Sequence, residues 1–377
     1  MRIAQMVPRG MKPSTGILTV IVHLSAALAR RGHHVEVWQL HDWSSDAYQD
    51  HRTCLMEAGV SQLPLAVSVP IWRLGRAVSE SVSERSMDVI HLHGAFNRWN
   101  TALSASLRRP YVFSPHSGYD PVSLRRSRLR KVLYRSVFER SMLERAALTV
   151  ALTEAEADQV RAFRGKGSLA VIPNGVEPPV ADVDRLALRR DLELTAEDHL
   201  VVFVGRLDVH RKGLDRLVRG VAGAPGWHLA LVGPRFSDVG RLETMIDDLA
   251  IGDRVRFTGE RHGRALREAL AGGDLFVLLS RWEGLPIALL EALSYGTPVV
   301  VSPEVGRVID VEASGAGWVV PPDGLGSLLV RLHGETEELD AHRLASHMLA
   351  ARYTWDAVAE AYEAAYEQVL RSRKTVR

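Results

Sequence analysis

The sequence predicts an α/β protein of two Rossmann-like domains, each a parallel sheet covered by crossover helices. Three observations carry this. At 377 residues the chain suits two domains of ordinary size, each with its own apolar core. Short apolar runs alternate with amphipathic segments almost throughout, the pattern of buried parallel strands joined by helices. Midway, Pro173–Asp184 (PNGVEPPVADVD) is rich in proline and lacks periodicity, and the alternation restarts after it. A first domain is therefore expected over residues 1–178 and a second from 179.

The elements follow in order. Ile3–Val7 reads as a first strand, Gly16–Ala29 as an apolar helix closed by Arg30, Arg31 and Gly32, and Val35–Leu40 as the next strand. Arg2, Arg9 and Lys12 ahead of that apolar run invite comparison with a secretory signal, but a strand before it and another after it favour a nucleotide-fold opening. Further strands are expected at Val89–His91, Tyr111–Ser114, Leu148–Ala151 and Ala170–Ile172. The second half supplies Leu200–Val204, Leu229–Val232, Val255–Thr258, Leu275–Leu279 and Val299–Val301, with helices at Leu214–Val221, Arg241–Ala250, Gly263–Ala271 and Pro286–Tyr295. Trp355–Leu370 is a long final helix with Trp355, Val358, Tyr362, Tyr366 and Leu370 along one stripe.

Composition excludes several classes. With 46% hydrophobic and 24% charged residues and a net charge of +2, the chain is globular and not disordered. The single cysteine, Cys54, rules out an internal disulfide framework and fits a reducing, cytoplasmic setting. No apolar run approaches the roughly 20 residues that span a bilayer. Pro121–Arg145 is strongly basic, with Leu124, Leu129, Val132, Leu133, Val137 and Phe138 at helical intervals. A basic helix around residues 124–140 could rest peripherally on anionic lipid at the inner face of a membrane or hold an anionic acceptor. It could equally be a solvated helix whose apolar stripe enters the core. Nucleic acid is not expected, because the basic run lacks interleaved aromatics and a reading motif.

Ligands of open α/β sheets bind beyond the carboxyl ends of strands, which directs attention to a few residues. Gly205 and Arg206 follow the first strand of the second half, and Lys212 comes shortly after, so that two cations could meet a diphosphate there. Gly233-Pro234 and Thr258-Gly259-Glu260 end later strands, with Arg261 and His262 beside them; ordinary turns are the alternative. Between Ser280 and Val301, Glu283 and Glu291 lie either side of Pro286, which suits the first turn of a helix. On a continuous helix that separation is about 80° around the axis and about 12 Å along it. This exceeds the roughly 5–9.5 Å of a glycosidase carboxylate pair, and would suit the two ends of one extended ligand. The helix N-terminus between them suits a phosphate. A nucleotide-sugar has that shape; a buried helix with one capping and one solvated glutamate is the alternative reading.

In the first half, strand ends carry His91, His93 and His116, and Gly16 opens the first helix. A His-x-His pair evokes zinc, but further ligands at metal spacing are missing, and no metal is expected. Asp182-Val183-Asp184 is a literal D-x-D, yet it lies in the proline-rich linker and not after a strand, so we read it as coincidence.

Taken in order, these motifs resemble the retaining glycosyltransferases of family 4, with the GT-B fold and an E-x7-E signature. The resemblance implies two Rossmann-like domains with parallel sheets facing a central cleft. It also implies a closing helix, residues 355–377, that returns to the N-terminal domain and leaves 179–354 as the nucleotide-sugar domain. By the same resemblance Glu283 faces the donor sugar, Glu291 the ribose, and Gly284, Leu285 and Ile287 the sugar and phosphate. Arg206 and Lys212 would stabilise the departing diphosphate, and His116 would face the donor sugar from the first domain. Gly205, Gly233 and Arg261 would line the nucleotide, and Gly16 the phosphate or acceptor. The family's double glycine is Thr15-Gly16 here. The expected co-substrate is a UDP-, GDP- or dTDP-linked sugar and the expected acceptor a hydroxyl, without a metal cofactor. A sugar-nucleotide epimerase on the same fold and a non-catalytic nucleotide-sugar binding protein are the alternatives.

Overall fold

A computed structural model describes residues 1–374 except 14, 41, 66–70, 108, 121–133, 135–137, 165–166 and 196. The chain forms two compact units, one of Met1–Gly175 with Trp355–Arg377 and one of Val176–Thr354.

The first unit holds a sheet of seven strands: β1 (Arg2–Val7), β2 (His34–Gln39), β3 (Ser61–Pro64), β4 (Val89–His93), β5 (Tyr111–Ser114), β6 (Leu148–Ala151) and β7 (Leu169–Val171). Their order is β3-β2-β1-β4-β5-β6-β7, and all pairings are parallel. Ile3 lies opposite Val35 on one side and Val89 on the other. Crossover helices cover both faces of such a sheet, which is why its strands read as nearly continuous apolar runs. The order reverses direction between β1 and β4.

The second unit repeats the plan with six parallel strands: β8 (His199–Val204), β9 (Trp227–Val232), β10 (Val255–Gly259), β11 (Leu275–Leu278), β12 (Val299–Val301) and β13 (Gly317–Val319). Their order is β10-β9-β8-β11-β12-β13, and the reversal falls between β8 and β11. Such switch points leave a crevice where the crossover helices diverge to opposite faces.

Two strands were not expected from sequence. β3 (SQLP) and β13 (GWV) are the outer strands of their sheets, where one side needs no apolar neighbour. Neither shows a run or an alternation that would mark it. The other strands lie within two residues of their expected ends.

The closing helix, Trp355–Lys374, packs in the first unit. Trp355 stacks on His23 of the helix Gly16–Arg30 with ring centroids 5.7 Å apart. Gly175 leaves room for the same indole, since a Cβ there would come within 2.5 Å of it. Arg31 pairs with Glu363 at 2.7 Å, and Tyr362 and Tyr366 are buried against the sheet. The basic stretch around 124–140 lies almost wholly outside the described residues. Among the described residues no helix is long and apolar enough to cross a membrane. Cys54 is half-buried.

Candidate active site

In the second unit the polar side chains gather at the switch point. β8 continues into Gly205 and Arg206, then into the single turn Val209–Lys212. Asp208 caps that turn, its Oδ1 accepting the Arg211 N–H at 3.1 Å. Gly213 then bends the chain at φ 66°, and a Cβ there would meet the Leu279 carbonyl oxygen at 2.0 Å. Only glycine lets this turn close on the end of β11.

That closure delivers Lys212 to Glu283. Lys212 Nζ donates to Glu283 Oε1 at 2.6 Å, Ser280 Oγ donates to the same oxygen at 2.8 Å, and Arg211 lies 3.7 Å from Oε2. The Glu283 side chain is only 6% exposed. Burial pushes its carboxyl up, but Lys212, Arg211 and the two hydrogen bonds outweigh burial and hold it below the usual carboxylate range. It is therefore a carboxylate at neutral pH. Arg281 fixes the segment by donating to both Asp215 oxygens (2.8 and 2.7 Å) and to the His210 carbonyl at 2.6 Å. The Arg211 guanidinium in turn lies over Trp282, 5.7 Å from the ring centre.

Arg206 is exposed, lies over the Phe236 ring at 5.6 Å, and makes no ion pair among the described residues. Beside it the loops after β8 and β9 touch backbone to backbone. A Cβ on Gly233 would stand 2.0 Å from the Gly205 oxygen, so that approach requires glycine.

The helix after β11 spans Ile287–Ser294, with Pro286 as its N-cap and no side chain capping it. Its first N–H groups have no partner within the helix. Glu283 thus precedes the helix, and the 80° and 12 Å spacing inferred for a continuous helix does not apply. The residue before a proline is pushed out of the α region, which keeps Leu285 and everything before it in the loop. Glu291 is half-buried on the helix itself; Leu285 is buried, and Gly284 and Ile287 are half-buried at its entrance.

Arg261 follows the outer strand β10 and pairs with Asp191 at 2.9 Å, which turns its guanidinium to a carboxylate of its own unit. In the D-x-D, Asp184 pairs with Arg190 and accepts the Leu186 N–H at 2.9 Å. These contacts give it a structural role.

In the first unit, His116 follows β5 in a left-handed conformation (φ 52°), and Ser117 follows at φ 62°. Such backbone is unusual for these residue types and persists where the surroundings enforce it. Buried Glu156 enforces it here, its carboxylate accepting the Ser117 N–H at 2.5 Å and the Leu152 N–H at 2.8 Å. Glu139 does the same for Phe96 (φ 55°) after β4, accepting its N–H at 2.8 Å and the Tyr119 hydroxyl at 2.9 Å. Burial pushes both carboxyls up to about 7, against the lowering effect of those hydrogen bonds.

Below His116 runs a buried polar chain that sequence reasoning did not find. His93 Nδ1 lies 3.0 Å from His116 Nε2, and His93 Nε2 lies 2.7 Å from Gln5 Oε1. Gln5 Nε2 donates to the Tyr366 hydroxyl at 3.4 Å. His91 Nδ1 lies 2.8 Å from that hydroxyl, and His91 Nε2 lies 2.8 Å from Ser114 Oγ. Burial drives His91 and His93 well below the ordinary histidine value and His116 down to about 4, so all three are neutral at pH 7. Among the described residues no three His, Cys, Asp or Glu side chains group as metal ligands.

Gly16 is exposed at the first residue of its helix, and Thr15 provides no side-chain cap. Sequence reasoning also passed over Trp99, which carries the guanidiniums of Arg9 at 5.3 Å and Arg98 at 5.4 Å. Arg9 follows β1 and Arg98 follows β4, the two strands of the first switch point.

Comparison with known proteins agrees with this layout. Residues 14–179 match the model of Glycosyltransferase Family 4, and residues 184–328 that of Glycosyl transferases group 1. The GDP-mannose:cellobiosyl-diphosphopolyprenol alpha-mannosyltransferase of Xanthomonas oryzae pv. oryzae is 28% identical over 297 residues, covering 76% of this chain and 75% of that protein. Among solved structures, sucrose-phosphate synthase from Thermosynechococcus elongatus superposes with a TM-score of 0.79 at 22% identity, covering 99% of this chain and 100% of that one. HepE of Anabaena, in complex with UDP and glucose, gives 0.79 at 20% identity, covering 98% and 100%. At these identities the structural likenesses speak for the fold, which is GT-B.

Proposed function

We propose that this chain, a GT-B glycosyltransferase with a family 4 domain ahead of a group 1 domain, moves a sugar from a nucleoside diphosphate to an acceptor hydroxyl with retention of configuration. The second unit would hold the donor and the first the acceptor. One observation carries this reading: an ionised, buried Glu283 held by Lys212 at the second switch point, where Arg206, without an ion pair among the described residues, follows β8 and a helix N-terminus without a side-chain cap follows β11.

The chemistry follows from those charges. Breaking the bond between the sugar's anomeric carbon and the diphosphate oxygen builds negative charge on the leaving group. Arg206 can neutralise it, and Lys212 retains further N–H donors after binding Glu283. The acceptor oxygen bonds to the same face of the anomeric carbon, and its proton passes to the departing phosphate oxygen. Nothing among the described residues pairs a nucleophile with a base around Glu283; its nearest partners are a cation and a hydroxyl, which suits orienting the sugar better than attacking it. On the acceptor side, Arg9 and Arg98 over Trp99 suit an acceptor that carries phosphate or carboxylate.

A panel of UDP-, GDP- and dTDP-sugars scored by thermal shift, then by release of the nucleoside diphosphate with acceptor present, tests the reading. The mannosyltransferase relative is named for GDP-mannose and the HepE structure contains UDP and glucose, so both nucleotides belong in the panel. Conversion of donor without any acceptor would point instead to an epimerase, and binding without transfer or hydrolysis to a binding protein. No shift with any member would remove the proposal.

A further inference from the structure

We infer that Gln5 and His93 are positioning residues that fix His116 with its proton on Nε2, leaving Nδ1 as a bare acceptor for a substrate hydroxyl. The substrate contact rests on the transfer reading above; the tautomer does not.

The inference follows from donor and acceptor counting. A neutral imidazole has one N–H and one lone pair in the ring plane, and an amide has an oxygen that only accepts and a nitrogen that only donates. Gln5, His91, His93 and Ser114 are all fully buried, so each of their polar atoms needs a hydrogen-bond partner. With the Gln5 amide oxygen 2.7 Å from His93 Nε2 and its nitrogen toward Tyr366, the amide orientation sets the direction of the chain and places the His93 proton on Nε2. Its Nδ1 is then the lone pair, and the atom 3.0 Å away, His116 Nε2, must be the donor. His116 is left with an unprotonated Nδ1, and no described group hydrogen-bonds that atom. His116 is half-buried and stands at the carboxyl end of β5, so this lone pair ends the chain.

The opposite end of the amide polarises a second arm. Gln5 Nε2 donates to the Tyr366 hydroxyl, leaving that O–H to donate to His91 Nδ1 at 2.8 Å. His91 then donates from Nε2 to Ser114 Oγ at 2.8 Å, and Ser114 lies 3.5 Å from the Tyr362 hydroxyl. Every member is satisfied in one direction only once Gln5 is set. Tyr366 and Tyr362 both belong to the closing helix, so the far end of the chain helps to choose which face His116 presents. The low pKa of His93 agrees with this arrangement, because a proton added to its Nδ1 would face the His116 Nε2–H, donor against donor.

Histidine-selective 15N labelling and long-range 1H–15N correlation spectra of the full-length protein at pH 7.5 test the tautomer directly, with His116→Ala assigning the signal. The expected result is Nε2–H for His91, His93 and His116; a proton on His116 Nδ1 overturns the inference. Gln5→Leu should turn the single His116 tautomer into a mixture and lower kcat about tenfold, the worth of one hydrogen bond, with donor KM changed less than twofold. The same change in a His116→Ala background should cost nothing further, since Gln5 acts through His116. An unchanged His116 signal in Gln5→Leu, or a second loss on top of His116→Ala, overturns it. If Gln5→Leu does not fold, the wild-type spectrum decides alone. The spectra need no donor or acceptor, so a correct tautomer in a protein that transfers no sugar would separate the two readings.

Discussion

Replacing Lys212 with methionine keeps most of the side-chain volume and removes the charge that Glu283 depends on. In the native protein Lys212 approaches Glu283 to 2.6 Å in a site where the carboxylate is only 6% exposed. Removing one partner of a buried pair leaves the other charge uncompensated and costs about 3–5 kcal/mol. The lower end, about 3 kcal/mol, is expected here, because Ser280 and Arg211 still face the carboxylate. The effect should depend on pH in a definite direction. Glu283 has a folded pKa below its unfolded value, so in the native protein it adds stability above the ordinary carboxylate range and loses it as pH falls through the depressed folded value. Without Lys212, burial dominates, the carboxyl rises, and ionising it at pH 8 opposes folding. Urea unfolding followed by tryptophan fluorescence, at pH 8 and near pH 4.5, measures both effects. The loss should be largest at pH 8, and adding Glu283→Gln should recover at least half of it, since the neutral amide can still accept from Ser280. A loss below about 0.5 kcal/mol at pH 8, or no recovery in the double variant, would show that the pair is not electrostatically buried as argued.

Three further outcomes are expected. Arg206→Ala should abolish turnover while leaving the unfolding midpoint unchanged, because the side chain is exposed and touches only Phe236 among aromatic neighbours; near-normal transfer would remove its proposed role. Glu291→Ala should weaken nucleoside diphosphate binding about tenfold by titration calorimetry, the cost of one or two lost hydrogen bonds, and unchanged affinity would count against a ribose contact. Glu139 and Glu156 have folded pKa values of about 7, above their unfolded ones, so their contribution to the stability of the first unit is fully present below the unfolded carboxylate value and is lost as pH rises through 7. Each accounts for about 3 kcal/mol of that loss. Glu156→Gln should flatten the slope between pH 5 and 8 in urea titrations, and an unaltered slope would mean that the carboxyl is not desolvated.

Local chemistry alone determined much of this protein. β5, β6 and β12 were legible to the residue because strands buried on both faces must be apolar throughout. The break between the halves was legible because Pro173–Asp184 offers neither periodicity nor helix-forming residues. Lys212, Arg206 and Glu283 could be named from their positions after strands and from their resemblance to a known motif. Pro286 also carried the signal that Glu283 lies outside the helix, although a spacing rule applied across it hid that signal.

Tertiary structure decided the partners. Lys212 meets Glu283 across 71 residues of chain, and Gln5 meets Tyr366 across 361; no window of sequence contains either pair. Arg261 and Lys212 look alike as cations after strands, yet one closes on Asp191 and the other on Glu283, because β10 is an outer strand while β8 adjoins the reversal in strand order. Edge strands β3 and β13 escaped for a related reason: a strand with only one neighbour is held by that neighbour's backbone and need not advertise itself in its own side chains. Sequence fixes what each short segment prefers, whereas the bonding of a buried polar atom is set by whichever distant atoms the packed sheet brings within about 3 Å of it.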